Sequence, residues 1–126
     1  MGYPVVHFEI CGKDPAKQHA FFGELFGWKI DADNPLNYGI VDRETNVSGE
    51  GAGIGGGICD VPPGYEGHTT FYVEVPSVAD SLDQAEKLGA TRVMGPESPM
   101  GGLTIGLFLS PSGNLVGVVQ APAAQD

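Results

Sequence analysis

One order of elements occurs twice in this chain of 126 residues: a strand, a helix and then three more strands. The first copy opens on the alternating segment 5–10, and the second opens on segment 68–75. A repeat of about 60 residues is typical of internal duplication. The sequence therefore predicts one α+β domain, residues 1–126, made of tandem βαβββ modules over about 1–60 and 61–126. We expect the two modules to pair into a curved, half-open, barrel-like sheet.

The helix in each module is predicted from its end signals and its apolar spacing. Asp14 and Ser77 are N-cap residues, Pro15 suits a first helical position, and Gly27 and Gly89 end the helices. Apolar residues at helical spacing predict a stripe packed on a sheet in each module. The stripes are Ala16, Ala20, Phe21, Leu25 and Phe26 in the first, and Val78, Leu82, Ala85 and Leu88 in the second. His19 is expected on the solvated face, and Trp28 in the core.

Polar side chains alternate with apolar ones on the opening strand of each module. In the first strand His7 and Glu9 share one face, while Val6, Phe8 and Ile10 share the other. Burying an unpaired carboxylate is very costly, so the face with Glu9 is expected to meet water or a polar cavity. In the fifth strand the corresponding face carries four residues, opposite Phe71, Val73 and Val75. These four are His68, Thr70, Tyr72 and Glu74.

Charge and motifs exclude several classes of function. Six basic and sixteen acidic side chains give a net charge of −10, which repels nucleic acid and anionic membrane surfaces and suits a neutral or cationic small molecule. Cys11 and Cys59 are expected to be separate small buried hydrophobes. The glycine run 53–57 lacks the Lys-Ser/Thr ending of a phosphate-binding loop and is read as a fourth strand. No leader or membrane span is recognised, so the cytoplasm is the expected location.

The chain resembles the vicinal-oxygen-chelate superfamily, which comprises glyoxalase, bleomycin-resistance and dioxygenase proteins. The resemblance rests on Val6-His7-Phe8-Glu9-Ile10, on Leu25-Phe26-Gly27-Trp28 and on the closing Ser110-Pro111-Ser112-Gly113-Asn114. It covers nearly the whole chain and specifies a fold more than a reaction, because one fold hosts many activities. It also implies a homodimer.

The resemblance implies metal-ligand positions on the first and last strand of each module. His7 matches the first, and His68 or Thr70 the third. The fourth-strand position falls near Gly55 or Gly56 and the eighth-strand position on Gly117, and glycine has no side chain to donate. Catalytic metal sites commonly keep three protein ligands. We therefore expect either no cofactor or a weakly held divalent metal on His7 and His68.

Two functions are compatible with the sequence. The first is a glyoxalase-like enzyme of the lyase or isomerase type that transfers a proton with His7 and Glu9, with His68, Thr70, Tyr72 and Glu74 binding the ligand. The second is a non-catalytic protein that binds a small molecule or antibiotic, as bleomycin-resistance proteins do. The substrate and the choice between enzyme and binder are not determined by the sequence.

Overall fold

A computed structural model of the chain describes residues 2–99 and 102–120. These residues form two α-helices and eight strands in the order β-α-β-β-β, twice over. The first module consists of β1 (Val5–Cys11), α1 (Pro15–Phe26), β2 (Ile30–Asp31), β3 (Gly39–Val41) and β4 (Gly55–Cys59). The second consists of β5 (His68–Glu74), α2 (Val78–Lys87), β6 (Thr91–Glu97), β7 (Thr104–Leu109) and β8 (Leu115–Gln120). The α+β class with tandem βαβββ modules is confirmed.

The described residues divide into two compact units. One spans residues 7–70 and the other holds the remaining residues. The first contains strands in the order β2-β3-β4-β1, with β1 and β4 parallel, and the second the order β5-β8-β7-β6, with β5 and β8 parallel. Residues 61–70 thus group with the first module. The expectation of a single domain over 1–126 stays a prediction.

The core of the second module follows the sequence pattern. Val78 and Leu82 of α2 are fully buried and cluster with Val75 and Val118, with Val73 packed against them. The Ser77 hydroxyl accepts from the Asp80 backbone N–H at 3.2 Å, as expected for an N-cap. Two details were wrong: Leu88 is 71% exposed and Phe71 is 40% exposed. Leu88 lies at the C-cap, past the last turn that covers the sheet.

The predicted stripe of α1 is wrong. Ala16, Ala20, Phe21, Leu25 and Phe26 are all exposed, and no residue of this helix is fully buried. The partly buried positions are instead Pro15, Gln18, His19, Phe22 and Gly23. They also recur at helical spacing, so the helix is rotated from the predicted orientation.

An aromatic cluster accounts for this rotation. Phe22 stacks on Trp28 with ring centroids 5.6 Å apart, and Trp28 contacts Phe8 at 5.2 Å. Trp28 therefore packs as expected. His19, expected in solvent, turns inward, and its Nε2 lies 3.5 Å from the Ile58 carbonyl oxygen. Glycine at position 39 leaves the space that the His19 ring occupies.

The two cysteines were also interpreted wrongly. Strands β1 and β4 pair in parallel register with Cys11 opposite Cys59, and the two Cα atoms are 4.5 Å apart. The side chains form a disulfide. The disulfide could not be predicted because the two cysteines are 48 residues apart in sequence. The register between two distant strands cannot be deduced from the sequence of either strand alone.

Candidate functional site

A chain of hydrogen bonds joins the first strand to the residues around it, entirely within residues 7–70. His7 Nε2 lies 2.9 Å from the Tyr38 hydroxyl, and that hydroxyl donates to Glu9 Oε2 at 3.0 Å. The other carboxylate oxygen, Glu9 Oε1, is 3.2 Å from His68 Nε2. His68 Nδ1 is in turn 2.9 Å from the Tyr65 hydroxyl. We call His7, Tyr38, Glu9, His68 and Tyr65 the relay.

The donors in the relay can be assigned from the chemistry of its acceptors. An ionised carboxylate only accepts, so Tyr38 and His68 both donate to Glu9. Because the Tyr38 proton is directed at Glu9, His7 Nε2 must carry the proton that it shares with the Tyr38 oxygen. Because His68 donates from Nε2, its Nδ1 accepts a hydrogen bond from the Tyr65 hydroxyl. All four hydrogen bonds of the relay are then satisfied.

Burial sets the protonation state of His7. Burial holds the pKa of His7 below its ordinary value of 6.5, and the nearby Glu9 charge opposes that shift only in part. His7 is therefore neutral at pH 7. The side chains of Glu9 and His68 are 12% and 17% exposed, so little water surrounds their contact.

The loop before β3 fixes Tyr38. The Asn34 side-chain oxygen accepts from the Tyr38 N–H at 2.9 Å, and the Asn34 amide donates to the Tyr38 carbonyl at 2.7 Å. This two-way contact holds the backbone of the residue whose hydroxyl lies between His7 and Glu9. A Cβ on Gly57, which pairs with Glu9 in the β1–β4 register, would collide with the Tyr38 ring. Glycine is thus required beneath that ring.

A turn near the start of β5 places Tyr65. Its N–H donates to the Pro62 carbonyl at 3.1 Å, and Gly64 has a φ of 86°, which a side chain rarely adopts. The Tyr65 and His68 rings meet edge to face with centroids 5.8 Å apart. The turn that precedes β5 therefore supplies a member of the relay.

A cavity of about 370 Å³ reaches one end of the relay. His68 and Cys11 line it, together with the exposed Lys13–Glu66 ion pair at its rim. His7 and Glu9 do not line this cavity, so its contact with the relay passes through His68. The structure therefore gives His68 the position nearest to a ligand held there.

Three of the six sequence-predicted site residues belong to the relay. His7, Glu9 and His68 lie in the relay. Thr70 and Tyr72 are each 5% exposed, whereas Glu74 is exposed beside a separate recess that includes Tyr3 and Gln120. Sequence reasoning missed Tyr38 and Tyr65, although the neighbouring Asn34-Pro35 and Pro63-Gly64 pairs were available as turn signals.

The metal ligand set implied by the family does not fit these residues. The Phe8 ring covers Gly56 of the fourth strand, and the Tyr72 ring covers Gly117 of the eighth, so aromatic rings occupy the space beside these two glycines. A metal on His7 and His68 stays a prediction. Within residues 2–99 and 102–120, the group of three potential ligands is a different one: Glu9, Cys11 and His68, whose ligand atoms all lie within 4.8 Å of one another.

The repeated βαβββ modules and a polar site on the first strand define a protein of the vicinal-oxygen-chelate class. The glyoxalase-like domain family matches residues 7–119, and the chain belongs to that family. No curated protein matches the sequence. No helix among the described residues is both long enough and apolar enough to cross a bilayer.

Solved structures share the fold at low sequence identity. A Streptomyces coelicolor methylmalonyl-CoA epimerase variant in complex with 2-nitronate-propionyl-CoA is 13% identical, with a TM-score of 0.65 over 96% of this chain and 99% of that one. A Vibrio splendidus glyoxalase/bleomycin resistance protein/dioxygenase superfamily member is 14% identical, with a TM-score of 0.60 over 94% and 99%. A Legionella pneumophila structure described as an NAD-dependent benzaldehyde dehydrogenase is 16% identical, with a TM-score of 0.62 over 91% and 97%. These likenesses support the fold and leave the reaction open.

Proposed function

We propose that the protein is a small-molecule enzyme of lyase or isomerase type that moves a proton between its substrate and Glu9. The observation that carries the proposal is the placement of Glu9 between Tyr38 and His68, two donors at 3.0 and 3.2 Å. A positioned carboxylate that takes and returns a proton contributes about 10²–10⁴-fold to a rate. The substrate class is a carbonyl compound with an acidic C–H bond, which is consistent with the epimerase fold neighbours.

Each relay residue has a distinct role in this proposal. Glu9 is the base, and the hydrogen bonds from Tyr38 and His68 fix the direction of its carboxylate. His7 is a positioning residue, because it contacts the Tyr38 oxygen and so keeps the Tyr38 proton on Glu9. His68, Thr70, Tyr72 and Glu74 are proposed ligand contacts. No step in this proposal passes through a metal.

Proton transfer to Glu9 is tested by solvent deuterium exchange. Candidate carbon acids, with methylmalonyl-CoA among them, are incubated in D₂O with the protein and followed by NMR. Wild-type protein is expected to exchange the C–H next to a carbonyl, and Glu9→Gln to reduce the rate at least about 100-fold. Glu24→Gln, an exposed carboxylate on α1, is the matched control and is expected to keep the wild-type rate. Equal rates for Glu9→Gln and wild type would contradict the mechanism.

Non-catalytic binding of a cationic small molecule is the second candidate. The net charge of −10 favours it, because an acidic surface attracts cations at a distance. Binding that weakens with salt, raises the melting temperature and gives no deuterium exchange would favour this function over catalysis. Antibiotic binding in the manner of bleomycin-resistance proteins belongs to this candidate.

Location and assembly are also proposals. A homodimer rests on the family resemblance, and light scattering tests it, with twice the chain mass as the expected result. A cytoplasmic location rests on the sequence alone. A permanent Cys11–Cys59 disulfide would favour an oxidising compartment, whereas a reversible one suits the cytoplasm, where structural disulfides are rare.

A further inference from the structure

We propose that Cys11, Glu9 and His68 form a metal site that the Cys11–Cys59 disulfide closes and its reduction opens. The ligands are a thiolate, a carboxylate and an imidazole, which suit a Zn²⁺-like ion. This site shares His68 with the positions that the family resemblance implies, but its other two ligands, Cys11 and Glu9, are not among them, and it needs no ligand from the glycines. It goes beyond proton transfer and is tested without substrate.

Geometry favours the site. The three ligand atoms lie within 4.8 Å of one another, and Glu9 Oε1 and His68 Nε2 are 3.2 Å apart. Ligands of a tetrahedral zinc are separated by roughly 3.5 Å, given zinc–ligand bonds of about 2.0–2.3 Å. Small side-chain shifts therefore bring all three onto one ion. Three protein ligands leave the fourth position open.

Partners for the outer side of two ligands are already in place. Tyr38 donates to the second oxygen of Glu9, and Tyr65 contacts the second nitrogen of His68. When a metal replaces the proton on His68 Nε2, the proton moves to Nδ1 and the Tyr65 oxygen accepts it. Hydrogen bonds of this kind orient metal ligands, and losing one typically costs 10–100-fold in affinity.

The disulfide controls the third ligand. While Cys11 is bonded to Cys59 it holds no thiolate, so the oxidised protein keeps only Glu9 and His68. A dithiol reductant breaks the S–S bond: two electrons and two protons pass to the cysteines, and the reductant becomes a disulfide. Metal binding then releases the Cys11 proton. The cavity lined by Cys11 and His68 provides the route for both reductant and ion.

Cobalt titration tests the site, since a thiolate bound to Co²⁺ gives a charge-transfer absorption band. The protein is titrated with Co²⁺ in oxidised form and after reduction with a phosphine, which competes little for metal. The reduced protein is expected to bind one ion per chain with the band, and the oxidised protein to show no band. Zn²⁺ is expected to displace the cobalt and abolish the band.

Two variants that both remove the disulfide provide the matched control. Cys59→Ala keeps Cys11 and is expected to bind Co²⁺ with the band whether or not reductant is present. Cys11→Ala is expected to show no band in either condition. Circular dichroism of the two variants establishes that they are equally folded.

The site assignment is then checked at the hydrogen bond between Tyr65 and the ligand His68. Tyr65→Phe in the Cys59→Ala background is expected to weaken binding by about 10–100-fold, in line with the loss of an outer hydrogen bond. Equal bands for Cys11→Ala and Cys59→Ala, or a band in the oxidised wild type, would overturn the proposal. Failure of the metal-site proposal would not affect the deuterium exchange expected of Glu9, so the two proposals are tested independently.

Discussion

The two modules share one order of elements but use their interiors differently. In the second module α2 buries Val78 and Leu82 completely, and the pair anchors an aliphatic cluster. In the first module α1 buries no residue completely, and the polar relay lies around β1 instead. The same backbone pattern therefore supports an aliphatic core in one half and a polar site in the other.

Glycine and tyrosine make a second contrast between the modules. Gly57 in the first and Gly117 in the second each lie beneath a tyrosine ring, Tyr38 and Tyr72 respectively. The Tyr38 hydroxyl bridges His7 and the Glu9 carboxylate. Equivalent packing thus supports the relay in the first module, whereas in the second it fills the space beside β8.

The largest expected effect is a difference in stability between variants of the two helices. Leu82→Ala removes a fully buried side chain and is expected to lower the free energy of unfolding by about 2–5 kcal/mol. Leu25→Ala removes a side chain that is 57% exposed, so a change within about 0.5 kcal/mol is expected. Urea unfolding of both variants measures the difference. A similar loss in the free energy of unfolding for the two variants would contradict the proposed difference between the modules.

A smaller effect is expected from adding one methyl group beneath each tyrosine. Gly57→Ala and Gly117→Ala both place a Cβ against a ring and should each cost about 1–3 kcal/mol of stability. Gly57→Ala should also slow deuterium exchange strongly, because it displaces the Tyr38 hydroxyl from Glu9. Gly49→Ala, with no atom near the new Cβ, is the control for both. If the Gly57→Ala protein is destabilised but keeps the wild-type rate of deuterium exchange, Tyr38 takes no part in proton transfer.

The smallest expected effect is a pH dependence of stability that comes from His7. Its pKa is lowered by burial in the folded protein, so between that value and 6.5 the unfolded chain binds more protons. Stability from this residue is complete above pH 6.5 and is lost as the pH falls, with a slope of at most about 1.4 kcal/mol per pH unit. Urea midpoints of wild type and His7→Gln from pH 7.5 to 5 should therefore converge. If the stability of wild type relative to His7→Gln increased as the pH fell, the lowered pKa of His7 would be contradicted.

Local patterns predicted the elements well, since caps, alternation and glycine stops lie within a few residues of each other. Asp14, Ser77 and Gly27 mark helix ends that the structure retains. The orientation of α1 could not be predicted, because it depends on which aromatic residue Trp28 contacts. The Cys11–Cys59 bond and the relay could not be predicted either. Both depend on the pairing of β1 with β4 and on loops that carry Tyr38 and Tyr65 to residues far away in sequence.

The central claim is that Glu9 accepts hydrogen bonds from Tyr38 and His68, and that His7 in turn donates to the Tyr38 hydroxyl oxygen. Nitrogen-15 NMR of the imidazole side chains at pH 7 tests this arrangement most directly, because it reports which ring nitrogen carries the proton. The account predicts a neutral His7 protonated on Nε2 and a His68 with its Nε2 proton directed at Glu9. The His68 signal is expected to shift in Glu9→Gln. A His7 protonated on Nδ1 alone, or a His68 signal unchanged in Glu9→Gln, would contradict it.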